Sequence, residues 1–99
     1  MFVTVWKFMT RDADAFETHY GPDGTWAEFF RRDPNYLRTD LLKGEDHYLT
    51  LDWWTSRDAY EAFREANADR YAEIDRMCQA VTTSEEKVGE YLALPHAFR

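Results

Sequence analysis

The sequence has 99 residues, of which 44% are hydrophobic and 17% aromatic, and this composition excludes an intrinsically disordered chain despite a formal net charge of −7. Its 12 Lys and Arg residues, against 19 Asp and Glu residues, form no basic run, so we expect neither nucleic acid nor a membrane as a partner. A chain of this length is predicted to form a single domain over residues 1–99. With one cysteine and no recognisable targeting segment, we expect a soluble, cytoplasmic protein.

The first part of the chain predicts a strand followed by a broken helix. Phe2–Met9 alternates between two largely apolar sets, a pattern typical of a central strand that is covered on both sides. Residues 10–20 then have helical spacing, and the Gly-Pro-Asp-Gly sequence at residues 21–24 ends that helix. A second short helical segment around Trp26 ends before Pro34. The first helix is therefore predicted to consist of two pieces.

The second part predicts a hairpin, two helical segments and a final strand. Tyr36–Lys43 and residues 47–54 read as two strands joined by a tight turn, and Ser84–Leu92 supplies the last strand. Thr55 or Ser56 caps the helical region that lies between the third and the last strand. This order predicts an α+β fold with the ferredoxin-like βαββαβ arrangement and a four-stranded antiparallel sheet. Right-handed crossovers place the first and third strands in the centre and all helices on one face.

The other face of such a sheet has no helix to cover it. The third strand alternates two sets, which are Leu49, Leu51 and Trp53 on one side and Tyr48, Thr50, Asp52 and Trp54 on the other. We expect the first set to pack under the helices and the aromatic and polar set to form the uncovered face. An exposed patch that includes Tyr48 and Trp54 is larger than a soluble monomer normally carries. We therefore predict a homodimer whose two sheets face each other in a dimeric α+β barrel.

Short segments spread over nearly the whole chain carry a family resemblance. They are Tyr20-Gly21-Pro22-Asp23-Gly24 with Trp26, Phe30-Arg31-Arg32 with Tyr36-Leu37, Leu41-Leu42, Tyr48-Leu49-Thr50-Leu51-Asp52, Trp54-Thr55-Ser56 with Tyr60 and Phe63, and the single residues Asp75, Cys78, Glu86 and Gly89. With these residues the chain resembles the antibiotic biosynthesis monooxygenase family of dimeric α+β barrels. The family includes cofactor-free oxygenases of polyketide intermediates, haem-degrading enzymes and proteins without known activity, so the resemblance implies a fold more strongly than a reaction.

The activity that this resemblance implies is cofactor-free monooxygenation of a small electron-rich aromatic or polyketide-like substrate, in a pocket between the helices and the sheet. Quinone-forming members resemble the chain in the tryptophan that ends the third strand, Trp54, whereas their preceding Asn appears here as Thr50. Haem-degrading members carry an Asn on the first strand and a His on the second helix, and this chain lacks both. Two alternatives remain open, a non-catalytic dimeric ligand-binding or accessory protein and an isomerase or decarboxylase.

Trp54 and Arg38 are the first two candidates for catalytic residues. The indole of Trp54 would stack against a flat substrate, or alternatively fill the core beneath a helix. Arg38 would stabilise the enolate or phenolate that a cofactor-free oxygenation develops. The alternative for Arg38 is an ion pair with Asp40 or Asp52, because buried charges are usually paired.

His19 is the third candidate, as the base that removes a phenolic proton, with His47 as the alternative, because imidazole titrates near neutral pH. The candidates for substrate contact are Trp6, Tyr20, Trp26, Tyr48, Thr50 and Asp52. No spacing of His, Cys, Asp and Glu matches a metal site, and His96 lies in the C-terminal tail. We therefore expect no metal and no cofactor.

Overall fold

The computed structural model describes residues 1–95, so His96 lies outside the described residues. The strands are β1 (Phe2–Met9), β2 (Tyr36–Lys43), β3 (Tyr48–Trp54) and β4 (Ser84–Leu92). The helices are α1 (Ala13–Tyr20), α2 (Thr25–Phe30), α3 (Arg57–Ala66) and α4 (Ala68–Cys78), and the 3₁₀ turn Gln79–Val81 follows α4. The antiparallel sheet has the order β2-β3-β1-β4. The predicted α+β, ferredoxin-like βαββαβ fold is confirmed.

The helix breaks occur where turn and cap residues predict them. Residues 21–24 separate α1 from α2, and Asn67 separates α3 from α4. Of the two predicted caps for α3, Ser56 is the one used, since its hydroxyl accepts a hydrogen bond of 3.1 Å from the backbone N–H of Ala59. None of the helices in the described part of the chain is long and apolar enough to cross a membrane.

The two faces of the sheet are the reverse of the prediction. Tyr48 and Trp54 face the helices and are 5% and 0% exposed, although we expected both on the uncovered face. Their register partners Phe8 and Phe2 on β1 share this buried side. Period-two alternation separates the two sets of side chains but does not say which set the helices cover. The rings of Tyr48 and Trp54 face the helices because the helices carry aromatic rings that pack against them. One of these is Phe63 on α3, whose ring centre is 5.3 Å from that of Trp54.

The uncovered face, as far as the described residues show it, carries apolar side chains and a polar cluster. Leu42 on β2 is 50% exposed and Tyr91 on β4 is 48% exposed. Arg38 lies 4.9 Å above the Trp53 ring and pairs with Asp40 at 3.2 Å. Asp40 also accepts a 3.0 Å hydrogen bond from the indole N–H of Trp53. Arg38 is therefore held in an ion pair, as in the alternative considered from the sequence.

Candidate functional site

A small cavity lies between the helices and the covered face of the sheet. The enclosed free volume of the cavity is about 40 Å³. The volume rises to about 400 Å³ when the open space at the mouth of the cavity is included. Typical ligand sites hold about 300–1,000 Å³, so a multi-ring molecule enters only if side chains move. All four strands and helices α1, α2 and α4 contribute to the lining, which consists of Trp6, Phe8, Tyr20, Trp26, Phe30, Thr39, Thr50, Asp52, Tyr71, Asp75 and Glu85.

The break between α1 and α2 places two of the aromatic walls. A Cβ atom on Gly24 would lie 2.7 Å from the carbonyl oxygens of Thr18 and His19, so a glycine is needed for this close approach of the two helices. The turn brings the rings of Tyr20 and Trp26 to a centroid distance of 6.3 Å. The loop sequence therefore fixes one side of the cavity.

Asp52 is the carboxylate on the β3 side of the cavity. It is partly accessible through the cavity and otherwise enclosed by protein. This desolvation raises its pKa from 3.8 to about 6, against a smaller lowering by the hydrogen bond from Thr39. Thr39 donates to Asp52 Oδ1 at 2.5 Å, and the Tyr36 hydroxyl lies 2.7 Å from the Thr39 oxygen. A carboxylate that titrates near neutral pH inside an aromatic cavity is suited to accept a proton.

Thr39→Val is expected to raise the pKa of Asp52 further, because valine has a similar shape and cannot donate the hydrogen bond that favours the charged form. The pKa is measured by following the Asp52 side-chain carboxyl resonance with pH. Thr55→Val is the matched control, since the Thr55 hydroxyl donates to Asn35 outside the cavity. An unchanged or lower pKa in Thr39→Val would show that the hydrogen bond does not tune this group.

Three further polar hydrogens lie in the aromatic walls. Burial raises the pKa of the Tyr20 and Tyr71 hydroxyls, so both stay protonated at neutral pH. Trp26 is 8% exposed, and its indole N–H has no hydrogen-bond partner among the described residues. The Tyr20 hydroxyl and the Cys78 thiol are its neighbours but do not reach hydrogen-bonding geometry. An unpaired buried donor is costly, and because this nitrogen is fully buried, a ligand oxygen reaches the N–H only after neighbouring side chains move.

Two acidic side chains lie at the rim of the cavity. Asp75 comes from α4 and is partly buried, and Glu85 comes from β4 and is exposed. Partial desolvation and the nearby charge of Asp75 both raise the pKa of Glu85. The lining therefore contains three carboxylates and, among the described residues, neither Lys nor Arg.

Five of the six predicted substrate-contact residues line the cavity, namely Trp6, Tyr20, Trp26, Thr50 and Asp52. The sixth, Tyr48, does not, because its ring packs on Phe16 at 4.6 Å and its hydroxyl donates to Glu17 at 2.5 Å.

None of the three predicted catalytic residues lines the cavity. Arg38 lies on the opposite face of the sheet. Trp54 is fully buried in the core, which is the alternative role considered for it. His19 contacts the Thr25 hydroxyl at 2.8 Å beside the helix break, and His47 pairs with Asp46 in the hairpin turn. The guanidinium is outside the cavity because Arg38 lies on the other face of the sheet, and the two imidazoles are outside it because they lie at the helix break and in the hairpin turn.

The sequence reasoning missed six lining residues, which are Phe8, Phe30, Thr39, Tyr71, Asp75 and Glu85. A usable signal was the cross-strand register, which sets Thr39 opposite Asp52 and Glu85 opposite Phe8. Among residues 1–95, no group of three or more His, Cys, Asp or Glu side chains is arranged to hold a metal ion.

Solved structures share this fold over nearly the whole chain. SnoaB, a cofactor-independent oxygenase from Streptomyces nogalater, is 23% identical in sequence, and the match covers 96% of this chain and 94% of SnoaB. The TM-score is 0.75 for SnoaB and 0.76 for a single-residue variant of it. An antibiotic biosynthesis monooxygenase gives 0.62 at 16% identity, with 96% and 100% coverage. A protein of Nitrosomonas europaea assigned to the same monooxygenases gives 0.60 at 18% identity, again with 96% and 100% coverage. Neither a protein-family model nor a curated protein matches the sequence. The chain has the fold of the antibiotic biosynthesis monooxygenases, as the sequence resemblance predicted.

Proposed function

We propose that this protein is a cofactor-independent monooxygenase that oxidises a small phenolic substrate in the cavity between its helices and its sheet. The observation that carries the proposal is Asp52, a carboxylate with a pKa of about 6 in a cavity walled by aromatic rings. The shared fold with a cofactor-independent oxygenase supports it. Loss of its proton makes a phenol a stronger electron donor to oxygen, and Asp52 supplies the base that removes the proton.

Asp52 accepts the phenolic proton, and the unpaired indole N–H of Trp26 donates to the phenolate oxygen. A phenol titrates near pH 10, about four units above Asp52, so the phenolate needs such a donor to form. The phenolate then transfers an electron to oxygen, and carbon–oxygen bond formation follows. One oxygen atom becomes a ring carbonyl and the other leaves as water with two hydrogens of the substrate. Phenol and oxygen thus balance as quinone and water without an external reductant.

The test is oxygen uptake by the purified protein with single-ring phenols, followed by mass spectrometry of products made under isotopically heavy oxygen. We expect uptake without added flavin, haem or metal and one heavy oxygen atom in each quinone. Turnover that requires an added flavin, haem or metal would contradict the cofactor-independent proposal. Asp40→Asn serves as a control variant, because this carboxylate lies on the other face of the sheet.

An isomerase is the second candidate function, and Asp52 also favours it. A carboxylate of raised pKa beside an apolar wall and an N–H donor is equally suited to move a proton next to a carbonyl. Oxygen distinguishes the two functions, since an isomerase turns over at the same rate in anaerobic buffer. Loss of all turnover without oxygen would exclude the isomerase.

The uncovered face of the sheet supports a homodimer as the working form. Leu42 and Tyr91 are about half exposed there, next to the partly buried Leu49 and Leu51. Covering these side chains with a second copy would remove apolar surface from water, at roughly 25 cal/mol per Å². The proposed dimer thus uses the uncovered face, as expected from the sequence, but this face carries Leu49, Leu51 and Trp53 instead of the set with Tyr48 and Trp54.

Leu42→Glu is therefore expected to convert a dimer into a monomer, because it places a charge on the proposed interface. Native mass spectrometry measures the change. Met77→Glu is the matched control, because Met77 is 49% exposed on α4, away from the sheet. A wild-type protein that is monomeric at micromolar concentration would contradict the proposed interface.

A further inference from the structure

The charges around the cavity are of one sign. Asp52, Asp75 and Glu85 contribute to its lining, and within residues 1–95 neither Asp75 nor Glu85 forms an ion pair. The whole chain also carries a formal net charge of −7. An anion that approaches the cavity therefore meets unneutralised negative charge at the rim and again at Asp52.

The nearest cations lie outside the lining and have other partners. Lys87 lies 5.9 Å from the centre of the Trp6 ring, but its ammonium group pairs with Glu90. Arg64 lies 4.4 Å from the centre of the Tyr71 ring and donates to the Tyr60 hydroxyl at 3.4 Å. Neither side chain contributes to the cavity wall. Within residues 1–95, the lining of the cavity thus contains no cation that could bind a substrate anion.

The walls favour a ligand that is aromatic and has a hydroxyl or amino group. Faces of Trp, Tyr and Phe rings attract cations as well as other rings, through the negative charge of the ring face. The Trp26 indole N–H requires an acceptor, while the Asp52 carboxylate requires a donor. A cavity of about 40 Å³ is smaller than any aromatic ring, so wall side chains must move to admit a ligand, and a single ring requires the smallest movement.

We propose that the cavity selects single-ring phenols that are neutral or carry an ammonium group, and rejects those that carry a carboxylate. The proposal rests on the proposed function, since it defines the substrate class of the same site. Selection arises from the acidic rim formed by Asp75 and Glu85 and from the aromatic rings of the cavity wall.

The test is isothermal titration calorimetry with three matched ligands at about pH 7.5 and low ionic strength. They are 4-ethylphenol, tyramine and 3-(4-hydroxyphenyl)propanoate, which share a phenol and a short chain and differ in charge. We expect tyramine to bind at least as tightly as 4-ethylphenol, and the carboxylate roughly tenfold or more weakly than tyramine. Equal or tighter binding of the carboxylate would overturn the charge selection, and no binding by any of the three would overturn the site itself.

Glu85→Gln combined with Asp75→Asn is expected to bring the affinities for tyramine and for the carboxylate severalfold closer together. Glu86→Gln is the matched control for charge, because Glu86 is the next residue on β4 and points to the opposite face. An unchanged ratio in the double variant, or an equal change in Glu86→Gln, would overturn the role of the rim. Because calorimetry needs no turnover, selective binding without oxygen uptake would refute the oxygenase and leave this inference standing.

Discussion

Asp52→Asn is expected to stabilise the folded protein at pH 8 by about 3 kcal/mol and to lower oxygenation by on the order of 10²–10³-fold. The pKa of this carboxyl is raised from 3.8 to about 6, so folding favours its protonated form. Its contribution to stability is therefore present below pH 3.8 and is lost as the pH rises through about 6. Asparagine cannot ionise, so the gain in stability is absent in acid and complete above neutral pH.

Urea unfolding at several pH values measures the stability of Asp52→Asn, and oxygen uptake measures its activity. Wild-type activity is expected to rise with pH through about 6 as Asp52 loses its proton. Asp40→Asn is the control, because Asp40 binds Trp53 and Arg38 on the uncovered face and should leave activity unchanged. If Asp52→Asn destabilised the protein at pH 8 and kept full activity, Asp52 would be an ordinary structural residue.

Trp54→Ala is expected to lower the free energy of unfolding by about 3–5 kcal/mol, the cost of removing a large buried ring. Trp54 is 0% exposed and packs within 5.6 Å of the ring centres of Phe30, Tyr36, Tyr60 and Phe63. Its indole N–H has no hydrogen-bond partner among the described residues, so replacement with another apolar ring loses no bond.

Trp54→Phe therefore distinguishes a packing role from a catalytic one. A phenyl ring keeps part of the buried volume, and we expect this variant to recover more than half of the lost stability and to retain activity. Chemical denaturation and oxygen uptake provide the two measurements. An inactive Trp54→Phe with wild-type stability would instead place the indole in the reaction, as the family resemblance first suggested.

The strands and turns were predictable because their signals are local. Alternation in Phe2–Met9 and the Gly-Pro-Asp-Gly turn at residues 21–24 act through neighbouring residues, and both elements form where expected. The face of the sheet was not predictable in this way. Leu49 and Trp54 belong to two sets that are both apolar enough to be buried, and only the packing of helix rings such as Phe63 selects the set with Trp54.

The candidate site was predictable in its aromatic contacts and not in its chemistry. Trp6, Tyr20 and Trp26 line the cavity as expected. The base was sought among histidines, since imidazole has the right pKa without help from the fold. Asp52 acquires a similar pKa only because burial raises its pKa by more than the hydrogen bond from Thr39 lowers it, and both effects depend on tertiary structure.

We expect the ligand to bind in the cavity between the helices and the sheet. The four tryptophan indole N–H signals in an NMR spectrum report where it binds. Trp6 and Trp26 line the cavity, whereas Trp53 donates to Asp40 on the uncovered face. On titration with 4-ethylphenol we expect the Trp6 and Trp26 signals to move and the Trp53 signal to stay. If the Trp53 signal moved while the Trp6 and Trp26 signals stayed, the ligand would lie between the sheets of a dimer. This result would contradict binding in the cavity.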